Sequence, residues 1–215
     1  MRRHAQFAIG TLLAAVLAML PVGASASNAV LTLGAPDGPR VAVGTLLIAE
    51  STGQVAFTDG GTGVTCSASS VAADVVANPG APGRAILSIG SLSFGGCTSN
   101  IPGTTGVESV SFENLPYTMS IGDVPSLTAD IDPGGGGPIE VTLKLRTSSK
   151  PIPCGYGPPS SSMNPAVSNA GLVFGVDQAP PPGTIEPDPC LKSIHMSGRY
   201  GAFLDIDDLQ NVFVN

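Results

Sequence analysis

The sequence predicts an all-β protein, an antiparallel β-sandwich stapled by disulfides, with a β-barrel as the alternative. Short apolar runs alternate with polar residues, and many of the 28 glycines and 20 prolines separate these runs at turn-like positions. No window after the apolar N-terminal segment has good helix formers with a period of 3.6 residues. The four cysteines, an even number, all lie in the β-like part of the chain.

Residues 64–97 carry the clearest scaffold signal. This segment begins with a strand-like run containing Cys66, crosses a Pro/Gly corner at residues 78–83, and returns along a second apolar run to Cys97. In the second run the apolar residues closest to Gly90 occupy odd-numbered positions before it and even-numbered positions after it. This switch predicts a β-bulge or bend at Gly90. We therefore expect two paired strands clamped by a disulfide.

The other predicted strands follow the same alternation. Residues 139–147 place four aliphatic side chains on one face and polar or charged ones on the other, which is typical of an antiparallel sheet with one wet face. Further strands are predicted at residues 30–33, 41–48, 55–57, 110–112, 117–121, 127–131, 172–176, 194–206 and 212–214. Loops are predicted at residues 134–137, 151–165 and 179–189. We find no internal repeat or linker, so residues 27–215 are predicted to form a single domain.

The first 26 residues have the pattern of a cleaved signal peptide. Arg2 and Arg3 precede an apolar stretch at residues 7–20, and Ala24-Ser25-Ala26 supplies small residues for cleavage. A retained anchor is the weaker alternative, because a spanning helix needs roughly 20 apolar residues. The arginine pair leaves the twin-arginine route open, but the general secretory route is favoured. We expect a secreted, extracellular product of 189 residues that is released from the membrane.

The net charge of the chain narrows the classes of molecule that it is expected to bind. The full chain has a formal net charge of −7, and removal of two arginines with the signal takes it to about −9. Nucleic-acid binding requires clustered lysines and arginines, so an acidic and sparsely charged chain argues against it. The same acidity argues against an anionic membrane surface. The predicted partner is therefore an unidentified protein or cell-surface component.

The cysteines are predicted to form two disulfides, because export leads to an oxidising compartment. Three pairings are possible, and we favour the sequential one because it joins local neighbours. It pairs Cys66 with Cys97 and Cys154 with Cys190. A metal site on these cysteines is disfavoured, because there is no C-x-x-C pair and only one histidine follows the signal.

Two pairs of aspartates are the weak candidates for a metal or catalytic site. Asp130 and Asp132, and likewise Asp205 and Asp207, are two residues apart, so each pair projects from one face of a strand. Either pair could hold Ca²⁺ or act as acid and base, but neither fits the D-x-D-x-D-G calcium loop. Aspartates at strand ends more often belong to solvated turns. We predict no cofactor.

His195 is predicted to be an exposed structural residue. It alternates with Ile194 and Met196, so it lies on the opposite, solvated face of its strand. Catalysis by a triad would need a nucleophile and an acid beside it, and no G-x-S-x-G motif is present. The absence of tryptophan and the presence of only three tyrosines lower the case for carbohydrate binding.

Several segments, in their order along the chain, resemble a family of exported actinobacterial proteins described only as secreted proteins of unknown function. The segments are VTCSASS, NPGAPGRA, LSFGGCTSNIPGTTGVESV, NLPYTMSI and NVFVN. The resemblance covers roughly Gly44 to Asn215 and implies export, two disulfides and an all-β fold. It implies no activity, cofactor or catalytic residue, and the proline-rich insert before Cys190 is longer here than in that family.

These observations favour a secreted, non-enzymatic β-sandwich protein that binds a partner or contributes to the cell exterior. The lack of a polar catalytic constellation and the long Pro/Gly loops support it. One alternative is a secreted hydrolase that uses the paired aspartates, with or without calcium. Another is a carrier of a small apolar ligand, which would need an internal cavity.

Overall fold

The computed structural model describes residues 29–122, 126–158, 162–179 and 187–215. The predicted signal peptide, and most of the predicted proline-rich connection at 179–189, lie outside these residues. The described residues form fifteen β-strands, and no helix capable of spanning a membrane is found among them. The prediction of an all-β, disulfide-stapled fold is confirmed.

The strands are numbered in chain order. They are β1 (Leu31–Leu33), β2 (Leu46–Glu50), β3 (Val55–Asp59), β4 (Thr62–Ala77), β5 (Arg84–Ser99), β6 (Thr104–Glu113), β7 (Tyr117–Gly122), β8 (Thr128–Asp132), β9 (Glu140–Thr147), β10 (Ile152–Tyr156), β11 (Ala166–Ser168), β12 (Gly171–Gln178), β13 (Ile194–Tyr200), β14 (Leu204–Asp205) and β15 (Val212–Val214).

The main sheet has ten antiparallel strands and nearly closes into a barrel. Eight of its strands follow the order β11-β12-β13-β3-β4-β5-β7-β8. The other two are β2, which also pairs with β4, and β14, which pairs with β2. The two ends of the sheet meet where Ile131 of β8 and Met163, just before β11, exchange backbone hydrogen bonds of 2.7 and 2.9 Å. Closure of this kind protects the end strands from pairing with other chains.

A smaller sheet of order β10-β9-β6 packs on the main sheet, so that the two sheets form a sandwich in this part of the fold. The ring of Phe94 on β5 stacks on Phe112 of β6 with centroids 5.9 Å apart. It also meets Phe57 of β3 edge-to-face at 5.5 Å. Both sheets therefore share one hydrophobic core.

The hairpin of β4 and β5 is the longest element, with 16 residues in each strand. Cys66 lies directly opposite Cys97. The pairs Ala72–Ser91 and Ala73–Ile89 leave Gly90 without a partner, so the bulge predicted there is confirmed. β4 pairs with β3 over its first residues and with β2 over its later ones. We call this pair of strands the β4–β5 ribbon.

The predicted loop at 151–165 is partly wrong, because β10 lies within it. Ile152, Cys154 and Tyr156 alternate inward, but the prolines at 151 and 153 conceal the pattern in the sequence. Pro153 is tolerated because β10 pairs only with β9 in its sheet and is an edge strand.

The predicted continuous alternation over residues 194–206 is also wrong. β13 ends at Tyr200, and the chain crosses to β2 before β14 begins. This crossing reverses which residues face the core: even-numbered residues point inward in β13, and odd-numbered residues point inward after it. Asp205 is buried, whereas Leu204 is 37% exposed and Ile206 38% exposed. The predicted strand at 41–48 likewise begins only at Leu46 and leaves Val43 exposed.

Two buried tyrosine hydroxyls join distant parts of the chain. Tyr117 begins β7 and donates a hydrogen bond to the carbonyl of Glu113, as in the tyrosine corner of other β-sandwiches. The hydroxyl of Tyr200 on β13 lies 2.7 Å from the hydroxyl of Ser69 on β4. Burial raises the pKa of both phenols above the ordinary value of 10.0.

We expect alkaline solution to lower the free energy of unfolding because of these two phenols. An unfolded chain releases their protons near the ordinary pKa, whereas the fold keeps Tyr117 and Tyr200 protonated. Their contribution to the free energy of unfolding is therefore constant below pH 10.0 and falls as the pH rises through the raised values. Phenolate absorbance near 295 nm, followed with circular dichroism, measures this. Complete ionisation before any loss of fold would contradict it.

Candidate binding groove

The first predicted aspartate pair takes part in a cross-strand network. Asp130 and Asp132 both project outward from β8. Asp130 forms an ion pair with Arg84 of β5. The same guanidinium donates to the hydroxyl of Ser120 at 2.6 Å and to that of Thr128 at 2.8 Å. Arg84 thus joins three neighbouring strands, and Asp130 is one of its partners.

The second predicted pair belongs to a tight turn. Asp205 is buried, and its carboxylate accepts the backbone N–H of Asp207 at 2.9 Å. Asp207 itself is exposed. Among the described residues, no three His, Cys, Asp or Glu side chains come together in a way that could hold a metal ion. Calcium binding at either pair stays an untested alternative.

His195 lies on the exposed outer face of the main sheet, as predicted. Its Nδ1 lies 2.7 Å from the carboxylate of Asp177, which is directly opposite on β12. The ring leans over Gly175, where an added Cβ would lie 3.7 Å from Nε2. Sequence reasoning missed Asp177, because only the register of β12 and β13 brings it to the histidine.

The disulfides follow the sequential pairing favoured above. Cys66–Cys97 joins β4 to β5 inside the ribbon, and Cys154–Cys190 joins β10 to the segment before β13. The second bridge anchors residues 187–193, a segment without strand structure, against the small sheet.

An open groove, which we call the loop groove, lies beside this second bridge, where three connections meet. It has a volume of about 500 Å³, within the range of ligand-binding clefts. The connections are the β5–β6 turn, the β9–β10 turn with the start of β10, and the segment around Cys190. The lining residues are Ile101, Pro102, Gly103, Thr147, Ser148, Ser149, Ile152, Asp188, Pro189 and Leu191.

Each wall of the loop groove is held by side chains of the framework. Thr104 bonds to the carbonyl of Ile101 at 2.7 Å and so closes the β5–β6 turn. Thr147 accepts backbone N–H groups of residues 149 and 150 and donates to the carbonyl of residue 150 at 2.8 Å. The hydroxyl of Tyr156 donates to the carbonyl of Leu191 at 3.0 Å. The groove is therefore preorganised, which lowers the entropic cost of binding.

The chemistry of the loop groove suits an uncharged, partly apolar ligand. Its apolar surface comes from Ile101, Pro102, Ile152, Pro189 and Leu191. The β9–β10 turn adds Thr147, Ser148 and Ser149 along one side, although the hydroxyl of Thr147 is already bonded within the turn, and Asp188 adds a carboxylate. Apolar walls with a few polar groups at defined positions are typical of binding sites for extended peptides and small molecules.

The described interior offers less room than the loop groove. Two narrow, partly open apolar cavities have volumes of about 20 and 10 Å³, the scale of one water molecule. The larger lies beneath β1 and β15, and the smaller lies among the side chains of the barrel interior. A carrier of a small apolar ligand would have to expand one of them, so the groove is the better candidate site.

Comparison with family models, with curated proteins and with solved structures finds no match. The resemblance to exported actinobacterial proteins therefore stays a prediction, and any function is inferred from the residues of this chain.

Proposed function

We propose that this protein is a secreted, non-enzymatic binding module that holds an extended, uncharged segment of a partner protein in the loop groove. The observation that carries the proposal is the groove itself, a volume of about 500 Å³ fixed on three sides by turns and a disulfide. Binding residues are often found on loops that a rigid scaffold positions, and here a nearly closed β-framework positions them.

The two disulfides support export, because such bonds form and persist in oxidising compartments. The apolar and hydroxyl lining supports a ligand that is recognised by shape and backbone hydrogen bonds more than by charge. A proline- or aliphatic-rich extended segment has this chemistry. It also loses little conformational entropy on binding when proline has already restricted it.

The test is selection of peptides from a random display library on the immobilised mature protein, followed by calorimetric titration of the enriched peptides. We expect uncharged sequences with proline or aliphatic residues to be enriched. Leu191→Asn, which makes one wall of the groove polar, should weaken their binding at least tenfold, or about 1.4 kcal/mol.

The matched control is Val173→Asn, which makes the same type of change at an exposed aliphatic residue of β12 outside the groove. This variant should bind within a factor of about two of the parent protein. The groove would not be the binding site if both variants lost the same affinity for the peptides. The same would follow if the enriched peptides bound both variants as tightly as they bind the parent protein.

A further inference from the structure

A second surface, separate from the loop groove, carries apolar side chains on the outside of the main sheet. Along β2, β14 and the residue after β14, the outward residues are Leu46, Ile48, Leu204 and Ile206, where a sheet surface facing water normally carries polar residues. Val43 is 66% exposed and Val76 is 52% exposed. We call these six residues the β2 face.

The register places four residues of the β2 face side by side and the other two next to each other along the same strands. Leu204 lies directly opposite Ile48. The backbone N–H of Ile206 bonds to the carbonyl of Leu46 at 3.3 Å, so these two residues are also neighbours. At the other end, the N–H of Gly44 bonds to the carbonyl of Val75, which brings the preceding Val43 beside the following Val76.

Acidic residues surround the β2 face. Asp74 pairs with Leu46 across β4 and β2, Glu50 ends β2, and Asp207 and Asp208 follow Ile206 directly. All four carboxylates belong to exposed residues, and none takes part in the ion pairs found in the described part of the chain. The chain has no lysine or arginine between Arg40 and Arg84, or after Arg199. The segments that build this surface therefore contain no cation of their own.

An apolar surface with acidic residues around it favours some binding partners over others. In a symmetric contact between two copies, the same surface meets itself, so two acidic rims would face each other. An anionic lipid surface would be repelled in the same way. A positively charged rim around an apolar centre would instead be attracted, and it would exclude partners of the wrong charge.

We propose that the β2 face docks a basic amphipathic helix of a partner protein. Such a helix places apolar anchors at a spacing of three and four residues along one side, with lysines or arginines beside them. The short row of aliphatic side chains would receive the anchors, and the aspartates around it would pair with the basic residues. This second site is distinct from the groove proposed above and does not depend on it.

The test uses a fluorescent 18-residue peptide of leucine and lysine with helical spacing, titrated with the mature protein at low and moderate salt. A peptide with glutamate in place of lysine is the charge control. We expect binding of the lysine peptide that weakens with salt, and no binding of the glutamate peptide. Leu204→Ser/Ile206→Ser should weaken binding at least tenfold, and Asp207→Asn/Asp208→Asn should reduce the salt dependence.

Matched controls lie on other faces of the protein. Val173→Ser removes an exposed aliphatic side chain from β12, and Glu140→Gln removes a carboxylate from the outer face of β9. Neither should change binding by more than about twofold, and thermal melting checks that all variants fold. Binding that persists in Leu204→Ser/Ile206→Ser would overturn the proposal.

Two further measurements separate the other occupants. Sedimentation would assign the surface to a second copy if the parent protein dimerised and Leu204→Ser/Ile206→Ser did not. Flotation with phosphatidylglycerol vesicles would assign it to a lipid surface if the parent bound and that variant did not. Either result, without binding of the lysine peptide, would replace the basic helix as the occupant.

Discussion

Asn78→Ala is expected to lower the free energy of unfolding by about 3 kcal/mol, because it removes three hydrogen bonds to buried backbone groups, of which only the carbonyl of Leu31 keeps a second bond, from the N–H of Val41. Asn78 is only 5% exposed. Its side chain accepts the N–H of Leu31 at 2.8 Å and donates to the carbonyls of Leu31 and Val41 at 2.8 and 2.9 Å. One amide thus ties the N-terminal segments to the end of β4, at sequence separations of 47 and 37 residues.

Asn100→Ala is the matched control for this experiment. Asn100 also bonds to backbone groups, accepting the N–H of Gly63 at 2.6 Å and donating to the carbonyl of Gly61 at 2.9 Å. It is exposed, so water replaces these bonds, and we expect a loss of about 1 kcal/mol. Urea denaturation measures both variants. Similar losses in the two would mean that Asn78 does not hold the N-terminal segments in the way described.

Removal of the Cys154–Cys190 bridge is expected to lower the free energy of unfolding by about 3–4 kcal/mol and to abolish binding in the loop groove. The bridge closes a sequence separation of 36 residues. It also holds Pro189 and Leu191, which line the groove, against β10. The variant is Cys154→Ala/Cys190→Ala, and its affinity for the peptides selected on the parent protein is measured below its melting temperature.

Cys66→Ala/Cys97→Ala gives the comparison. That bridge closes a similar separation of 31 residues, so we expect a similar loss of stability. The paired strands of the β4–β5 ribbon would still hold both positions in register, and neither cysteine lines the groove. Peptide binding should therefore survive. Equal binding in the two double variants would show that the second bridge stabilises the fold without shaping the site.

Local patterns predicted the features of the fold that depend on neighbouring residues. The alternation in β9, the bulge at Gly90 and the two hairpin strands joined by Cys66–Cys97 were all visible in the sequence. Closure of the main sheet was not, because it depends on Ile131 meeting Met163, a residue outside the strands and far from Ile131 in the sequence. The outward side chains of β14 were assigned to the wrong face, since a short crossing reversed the parity.

The candidate sites were harder to predict than the fold. The loop groove is assembled from three connections that are far apart in the sequence, and turn chemistry explains each of them without reference to a ligand. The apolar residues Ile101 and Leu191, placed among turn residues, were the available signal. The paired aspartates gave the more visible pattern, yet Asp130 is engaged by Arg84 and Asp205 closes a turn.

The β4–β5 ribbon has a mechanical consequence if both proposed surfaces are occupied. Val64, paired with Ser99, lies near the end of the ribbon from which the turn at Ile101 leads into the groove, and Ala72 lies beside Ile48 of the β2 face. At about 3.3 Å per residue, the eight steps between Val64 and Ala72 separate the two surfaces by roughly 25 Å. A pulling force between the two partners would then act along the strands, so that the hydrogen bonds between β4 and β5 would bear it together in shear. The Cys66–Cys97 disulfide would prevent the two strands from sliding past each other. The protein would act as a short, stiff coupling that resists tension between the two molecules it joins.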